Sequence, residues 1–258
     1  MENLRISTIT SVSELNTPID LELLFHNIEI NDKIKYIEKG ELKKGTSNKK
    51  KRESRNSKKT TVFFNQATLH FFYEKIINVK LFNNGKIQMT GLKRENQGET
   101  VIKELIDIIQ TIDSKNTNKI FLKSPEKYEY DNYRIALINS DFDYGRVIDR
   151  ENLQEIMISM DMFSSFEPCI YPGVNIKYFY NTNNCDSKGV CNCERKCNGK
   201  GDGIETCRRV TIAVFNSGKI IITGAMNREQ LVECYNFINE VINKNLQITS
   251  MKPEQKTV

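Results

Sequence analysis

The chain has 258 residues, 38% hydrophobic and 28% charged, which is enough for one large domain or two small ones with a real core. No apolar run is long enough to span a bilayer and the N-terminus lacks the apolar segment of a signal peptide, so we expect an intracellular protein without a membrane partner. A net charge of +5 permits a nucleic-acid partner without demonstrating one.

The first half of the chain predicts strands and helices in mixed order. Arg5–Thr10 indicates a strand, and Thr17-Pro18 opens a short helix near Asp20–Asn27, with the proline at the first helical position. The stretch 43–59 carries nine Lys or Arg residues against one Glu, which is typical of a solvated loop or of a flexible arm that contacts phosphates. A further strand is predicted over Phe64–Tyr73.

A hairpin and a helix complete this half. Val79–Lys93 predicts two strands joined by a tight turn in which Gly85 supplies a positive φ. The helix that follows has one apolar stripe, formed by Val101, Ile102, Leu105, Ile106, Ile108, Ile109 and Ile112.

The same order of elements returns about 130 residues later. Seven of the ten positions from Phe82 to Gly91 are identical to those from Phe215 to Gly224. The second copy comprises a strand at Arg134–Asn139, a helix capped by Asp149, a strand at Val174–Tyr180 and a hairpin at Ile212–Met226. A second helix follows, and Asn227 and Gln230 form a predicted capping pair at its start. Two such units related by a pseudo-twofold axis can share one antiparallel sheet with helices on one face.

Alternation divides each hairpin between two faces of the sheet. An apolar set is predicted to lie under the helices: Leu81, Ile87, Met89, Val214, Ile220 and Ile222. The open set is aromatic, small polar or cationic: Phe82, Asn84, Lys86, Gln88, Thr90, Phe215, Ser217, Lys219, Ile221 and Thr223. A phenylalanine at the same exposed place in both copies is a candidate wedge for a binding partner.

The duplicated F-N-x-G-K-I hairpin, followed by T-G, resembles the TATA-binding protein family. The segment FSSFEPCIYPG at 163–173 is similar to the family's F-S-S-Y-E-P-x-x-F-P-G. The divergence and the insertions resemble the TATA-binding-protein-like factors of large nucleocytoplasmic DNA viruses. Such a resemblance implies a place in the host cytoplasm (the viral factory) or nucleus, or packaging in the virion.

The resemblance implies an α+β fold of two pseudo-symmetric repeats that form one curved antiparallel sheet, a saddle with helices on its convex face. Repeat 1 would cover 1–115 with the basic insertion 43–59, and repeat 2 would cover 131–250 with a cysteine-rich insertion at 181–208. A linker at 116–130 and a polar tail at 251–258 are the remaining segments.

The function that the resemblance implies is transcription initiation, by binding and bending AT-rich promoter DNA through its minor groove. Two aromatic pairs would intercalate: Phe64 or the adjacent Phe63 with Phe82, and Tyr171 with Phe215. Other DNA-contacting residues would be Thr8, Asn84, Lys86, Gln88, Thr90, Asn139, Ser217, Lys219, Ile221 and Thr223. Glu167 would face a TFIIB-like factor that leads to RNA polymerase, with the protein a monomer on DNA.

Three departures from the family pattern concern DNA reading. The family's paired Asn is replaced by Thr8 and Leu137, and leucine cannot donate a hydrogen bond. Tyr171 stands for a phenylalanine, and Lys80 and Gln88 replace apolar groove-facing residues. The second repeat, with Ile221 and the FSSFEP segment, keeps the family's character better than the first, in which Lys80 and Gln88 have drifted.

Five cysteines lie in the insertion 181–208: Cys185, Cys191, Cys193, Cys197 and Cys207. Four thiolates around one structural Zn²⁺ would hold so long a loop, and disulfides or free thiols are the alternatives. The C-x-C-x₃-C spacing is not that of a standard knuckle.

Two further functions are open. The saddle could serve as a protein-interaction scaffold that has lost sequence-specific DNA binding, which the missing Asn pair favours. An enzyme is not expected, because His26 and His70 have no nucleophile or carboxylate in a recognisable arrangement and no Gly-rich phosphate loop occurs.

Overall fold

The structure is a computed structural model that describes residues 3–47, 64–181, 188–194, 197–201 and 206–251. It divides into two compact units. The N-terminal unit is Thr8–Ala136, and the C-terminal unit is Met1–Ser7 together with Leu137–Val258. Asn48 to Phe63, Cys185 and the end of the predicted tail after Met251 lie outside the described residues. None of the described helices is long and apolar enough to cross a membrane.

The N-terminal unit contains six strands and two helices in its described part. They are β1 (Arg5–Leu15, here from Thr8), α1 (Leu21–Asn27), β2 (Ile34–Lys39), β3 (Leu42–Gly45), β4 (Gln66–Tyr73), β5 (Lys75–Phe82), β6 (Lys86–Leu92) and α2 (Gln97–Lys115). The antiparallel order is β3-β2-β4-β5-β6-β1. β2 and β3 were not predicted, because their alternating charged residues conceal the strand pattern.

The C-terminal unit repeats this plan. Its elements are β7 (Tyr130–Asp143, here from Leu137), β8 (Arg146–Ile148), α3 (Arg150–Ser159), β9 (Phe163–Glu167), β10 (Tyr171–Tyr180), β11 (Arg208–Phe215), β12 (Lys219–Ala225), α4 (Arg228–Lys244), a 3-10 turn (Leu246–Ile248) and β13 (Thr249–Met251). The antiparallel order is β7-β12-β11-β10-β9, and β8 pairs with β13 in a small second sheet. The predicted α+β class with antiparallel sheet is confirmed.

In each unit the helices cover one face of the sheet. The predicted apolar set of both hairpins is fully buried. Five of the seven residues of the predicted α2 stripe are also buried, and the other two, Ile108 and Ile112, are half-buried. On α4 the buried apolar residues are Leu231, Ile238, Val241 and Ile242. In the C-terminal unit the Tyr178 hydroxyl donates to Glu233 on α4 at 2.6 Å, and its ring lies 5.0 Å from that of Phe237. Burial of these apolar side chains is the main source of stability for both units.

The two hairpin turns have the same geometry. Gly85 and Gly218 have φ of +89° and +81°, and their amides donate to Phe82 and Phe215 at 3.0 and 2.9 Å. A Cβ at Gly218 would lie 2.0 Å from the Arg146 carbonyl oxygen, and one at Gly85 would lie 2.6 Å from that of Thr17. Both turns therefore require glycine for conformation and for space.

The helix starts were predicted correctly for α3 and α4 but not for α1. The Asp149 carboxylate accepts from two amides of α3, and the Asn227 side chain accepts from the Gln230 amide. α1 is capped by Asp20, whose carboxylate accepts from two amides of the first turn, so Pro18 lies before the helix and not at its first position. A carboxylate that accepts these amides is the stronger start signal.

Residues 116–130 belong to the N-terminal unit and pack against the segment that leads into α1. The Asp20 amide donates to the Ile120 carbonyl at 2.8 Å, and the Leu122 amide donates to that of Pro18 at 3.0 Å. Phe121 is buried and its ring stacks on Tyr128 at 4.2 Å. This predicted linker is therefore anchored by its own apolar side chains.

Candidate nucleic-acid interface

The face of each sheet opposite the helices carries most of the residues predicted to contact DNA. On this open face, the side chains of residues paired in neighbouring strands form rows that run across the strands. In the C-terminal unit one row comprises Asn139, Thr223, Thr211, Lys177 and Phe163. The corresponding row of the N-terminal unit comprises Thr10, Thr90, Asn78, His70 and Tyr36.

Tyr171 and Phe215 form an aromatic pair on the open face of the C-terminal unit. Their ring centroids lie 5.7 Å apart at an interplanar angle of 60°. Gly173 lies opposite Phe215 in the register, and a Cβ there would come within 3.1 Å of Tyr171 and 3.2 Å of Phe215. The absence of a side chain at Gly173 is what lets the two rings approach.

The N-terminal counterpart is less compact. Gln66 lies opposite Phe82 as Gly173 lies opposite Phe215, which places Phe64 two residues away in the position of Tyr171. Phe64 is 78% exposed, against 39% for Tyr171. Phe63, the alternative member of this pair, lies outside the described residues.

Two of the three threonines predicted to contact DNA, Thr90 and Thr223, have a side-chain partner on the same face. The Oγ1 atoms of Thr10 and Thr90 are 3.5 Å apart, and the Thr223 hydroxyl donates to Asn139 Oδ1. Thr10 was missed by sequence reasoning, although it stands two residues after Thr8 as Asn139 stands two after Leu137. Thr8 Oγ1 is buried without a hydrogen bond.

The remaining predicted contacts divide between strand and turn. Lys86, Gln88, Lys219 and Ile221 lie on the open faces of β6 and β12. Asn84 and Ser217 lie in the turns, where their side-chain oxygens accept from the amides of Lys86 and Lys219 at 3.1 and 3.5 Å. These two side chains shape the hairpin tips.

The structure adds cationic and polar residues that sequence reasoning missed. Lys177 donates to Asn175 Oδ1 at 2.8 Å and to Thr211 Oγ1 at 3.0 Å. Burial first, and the charge of Arg209 second, lower the pKa of Lys177. The alternation of Tyr171, Gly173, Asn175 and Lys177 along β10 was the available signal.

The two open faces differ at their outer ends. In the N-terminal unit Tyr36, Thr68 and His70 are buried, with His70 only 5% exposed and its ring 4.8 Å from that of Tyr36. In the C-terminal unit Phe163, at the position of Tyr36, is 66% exposed. The C-terminal face therefore offers more accessible surface at this end.

Carboxylates also lie on the open face of the C-terminal unit. Asp141 stands opposite Ile221 in the register and is engaged by Arg5 at 2.8 Å and by the Ser7 hydroxyl. Such pairing offsets a negative charge that would repel phosphates.

Glu167 ends β9 at an exposed turn. The Ile170 amide donates to its carbonyl at 2.9 Å, and Ile170 is itself exposed. Arg150 supports this turn from α3, since its guanidinium lies 4.9 Å from the Phe166 ring centroid and donates to the Pro172 carbonyl at 2.5 Å.

Four of the five predicted cysteine ligands come together between β10 and β11. The Sγ atoms of Cys191, Cys193, Cys197 and Cys207 all lie within 4.8 Å of one another, and all four are free thiols. Cys197 Sγ accepts from the amides of Gly199 and Cys207, each at 3.4 Å. The fifth, Cys185, lies outside the described residues. This cluster could hold a metal ion.

Comparison with known proteins decides the family. The sequence model of "Transcription factor TFIID (or TATA-binding protein, TBP)" matches residues 142–245. A "TATA-box-binding protein-like" protein of Acanthamoeba polyphaga mimivirus is 30% identical over 279 residues, which cover 99% of this chain and 69% of the relative. This chain belongs to the TATA-binding protein family.

The solved structure of Methanococcus jannaschii TBP shares the fold. It superposes with a TM-score of 0.54 at 18% identity, covering 94% of this chain and 99% of that chain. The resemblance inferred from the duplicated hairpin is thereby confirmed, and the chain is a TBP-like transcription factor with a viral relative. The family match over 142–245 lies within the repeat that keeps the closer aromatic pair.

Proposed function

We propose that this TBP-like protein binds AT-rich promoter DNA in the minor groove and bends it by inserting aromatic side chains between base steps. The observation that carries the proposal is the Tyr171–Phe215 pair, which stands on the face free of helices above a glycine that makes room for both rings. Unstacking a base step costs a few kcal/mol, and rings already in contact lose little further freedom on insertion.

Charge on the same face supports this proposal. Arg209 lies on β11 with Phe215, and Lys219 lies on β12 with Thr223. Lys177 lies beside Arg209. Cations at these positions can neutralise phosphates on both sides of a groove.

Binding and bending are tested together by titrating end-labelled AT-rich and GC-rich duplexes and recording end-to-end FRET. We expect the AT-rich duplex to bind more tightly and its ends to approach. Absence of binding at micromolar protein in ~100 mM salt would refute the proposal, since even non-specific DNA binders show some affinity there.

A scaffold that binds protein through the same face is the alternative. Two observations favour it: Leu137 offers no donor, and Asp141 places a carboxylate on the face. In the same titration a pure scaffold would leave the FRET signal of every duplex unchanged.

We also propose that Glu167 contacts a TFIIB-like factor and, through it, RNA polymerase. Its support is an exposed acidic residue on a turn held by Arg150. Such a factor should supershift the protein–DNA complex and fail to do so with Glu167→Arg. A supershift that the variant retains would remove this assignment.

The cysteine cluster fits one structural Zn²⁺. Tetrahedral thiolates at Zn–S distances of ~2.3 Å lie about 3.8 Å apart. The Sγ of Cys207 is 3.4 Å from that of Cys193 and 3.7 Å from that of Cys191, and Cys197 accepts two backbone amides as a thiolate ligand can. Zinc would tie the insertion to the start of β11.

Native mass spectrometry tests the metal, with protein prepared under reducing conditions with zinc supplied. We expect one zinc per chain in the wild type, loss of zinc in Cys193→Ser, and retention in Cys169→Ser, an exposed cysteine outside the cluster. A metal-free wild type would contradict the assignment.

A further inference from the structure

We propose that Asn139, oriented by Thr223, is the residue through which the C-terminal unit rejects guanine, and that the N-terminal unit has no such filter. This inference rests on the proposed DNA binding. Leu137 has no hydrogen-bond donor, and Asn139, two residues later, supplies one on the same strand.

The geometry starts from register. Asn139 and Thr223 are directly opposite on β7 and β12, on the face that carries Phe215, and Asn139 is half-buried there. The Thr223 hydroxyl donates to Asn139 Oδ1. With its oxygen engaged, the amide presents its two Nδ2 hydrogens as the group available to a ligand.

An amide that only donates distinguishes base pairs in the minor groove. A·T and T·A pairs present acceptors alone, whereas G·C adds the N2 amino group of guanine, a donor. Two donors facing each other leave both unpaired, which is costly once water is excluded. A donor-only Asn139 therefore accepts A·T and rejects G·C.

The corresponding position of the N-terminal unit behaves differently. Thr10 stands opposite Thr90 as Asn139 stands opposite Thr223, and their Oγ1 atoms are 3.5 Å apart. Either hydroxyl can donate or accept. Such a pair can turn to accept from a guanine amino group, so this half tolerates G·C.

Inosine isolates the group that is read, because an I·C pair lacks only the N2 amino group of G·C. Single G·C or I·C pairs are placed at each step of an AT-rich duplex, and affinities are measured for the wild type and for Thr223→Val, an isosteric change. For the wild type we expect at least one step where a G·C pair weakens binding about tenfold and an I·C pair does not. Thr223→Val should abolish this penalty, because Asn139 can then turn its oxygen toward the groove.

Thr90→Val is the matched control in the other unit, and it should leave every G·C penalty in place. Asn139→Leu should weaken binding to the unsubstituted AT-rich duplex, because it removes the amide that donates to the bases. If Thr223 only stabilised the sheet, loss of the Asn139 amide would not be expected to have this effect. Thermal unfolding shows that each variant is folded.

Two failures are distinguishable. A wild type that binds no duplex refutes the proposed function itself. A wild type that binds, with a G·C penalty that survives in Thr223→Val or is lost equally in Thr90→Val, overturns this inference and leaves DNA binding intact.

Discussion

Lys177 carries a charge on the open face at a cost to the folded state. Burial and the neighbouring Arg209 lower its pKa, while Asn175 and Thr211 accept its hydrogens. The native state therefore binds fewer protons than the unfolded chain just below the ordinary lysine pKa, so the free energy of unfolding rises as pH increases through that window. A cation held in this way is poised for a phosphate, whose negative charge would restore its pKa.

We expect Lys177→Met to leave thermal stability at neutral pH unchanged or higher, and to abolish the alkaline rise. The slope of log affinity against log salt for DNA should fall by about 0.9, the value of one lost phosphate contact. Lys103→Met replaces an exposed lysine on α2 and is the control. It should change neither the pH dependence of stability nor the salt slope of DNA affinity. An unchanged slope with lower stability would give Lys177 a structural role only.

At the scale of elements, the duplicated hairpin was the most predictable part of the fold. Its turn requires glycine, and the alternation of its side chains separates the residues buried under the helices from those on the open face. Both are local properties of a ten-residue segment. β2 and the docking of 116–130 were not predictable in this way, because partners farther along the chain stabilise them. β3 pairs with the neighbouring β2, and its charged residues concealed the strand. Ile19 pairs with Phe121 across about a hundred positions.

Gly218→Ala should lower the free energy of unfolding by about 2–5 kcal/mol, since a left-handed alanine costs about 1–2 kcal/mol and the clash with Arg146 adds to it. Gly145 has a similar φ of +88° with nothing within 4 Å of its Cβ position, so Gly145→Ala should cost only the backbone term. Urea denaturation of both variants measures the difference. Equal losses would show that the carbonyl of Arg146 moves aside freely.

At the scale of the whole molecule, two copies of one plan have diverged in what they offer a ligand. The C-terminal unit has paired rings, an accessible outer end and a cysteine cluster, whereas the N-terminal unit has a highly exposed Phe64 and a buried Tyr36–His70 pair. The family model matches residues 142–245, which lie in the C-terminal unit. Equal contributions to DNA bending are therefore not expected.

Replacing Tyr171 and Phe215 by Ala should remove more of the FRET change on AT-rich DNA than replacing Phe64 and Phe82. The reason is that the rings of Tyr171 and Phe215 are in contact before DNA arrives, whereas Phe64 is highly exposed, so less ordering accompanies insertion of the first pair. Both double variants are compared with the wild type at saturating protein. A larger loss for Phe64 and Phe82 would reverse this order.

The amino-acid sequence alone determined the repeat, the two faces of each hairpin and the grouping of the cysteines, because strand alternation and glycine turns are written in neighbouring residues. It also located Tyr171 and Phe215 through the family resemblance. Only the tertiary structure decided which polar groups meet. Thr223 and Asn139 are 84 positions apart, and Lys177 and Thr211 are 34 apart. Such partners depend on the register between strands, which is selected by packing the buried face as a whole.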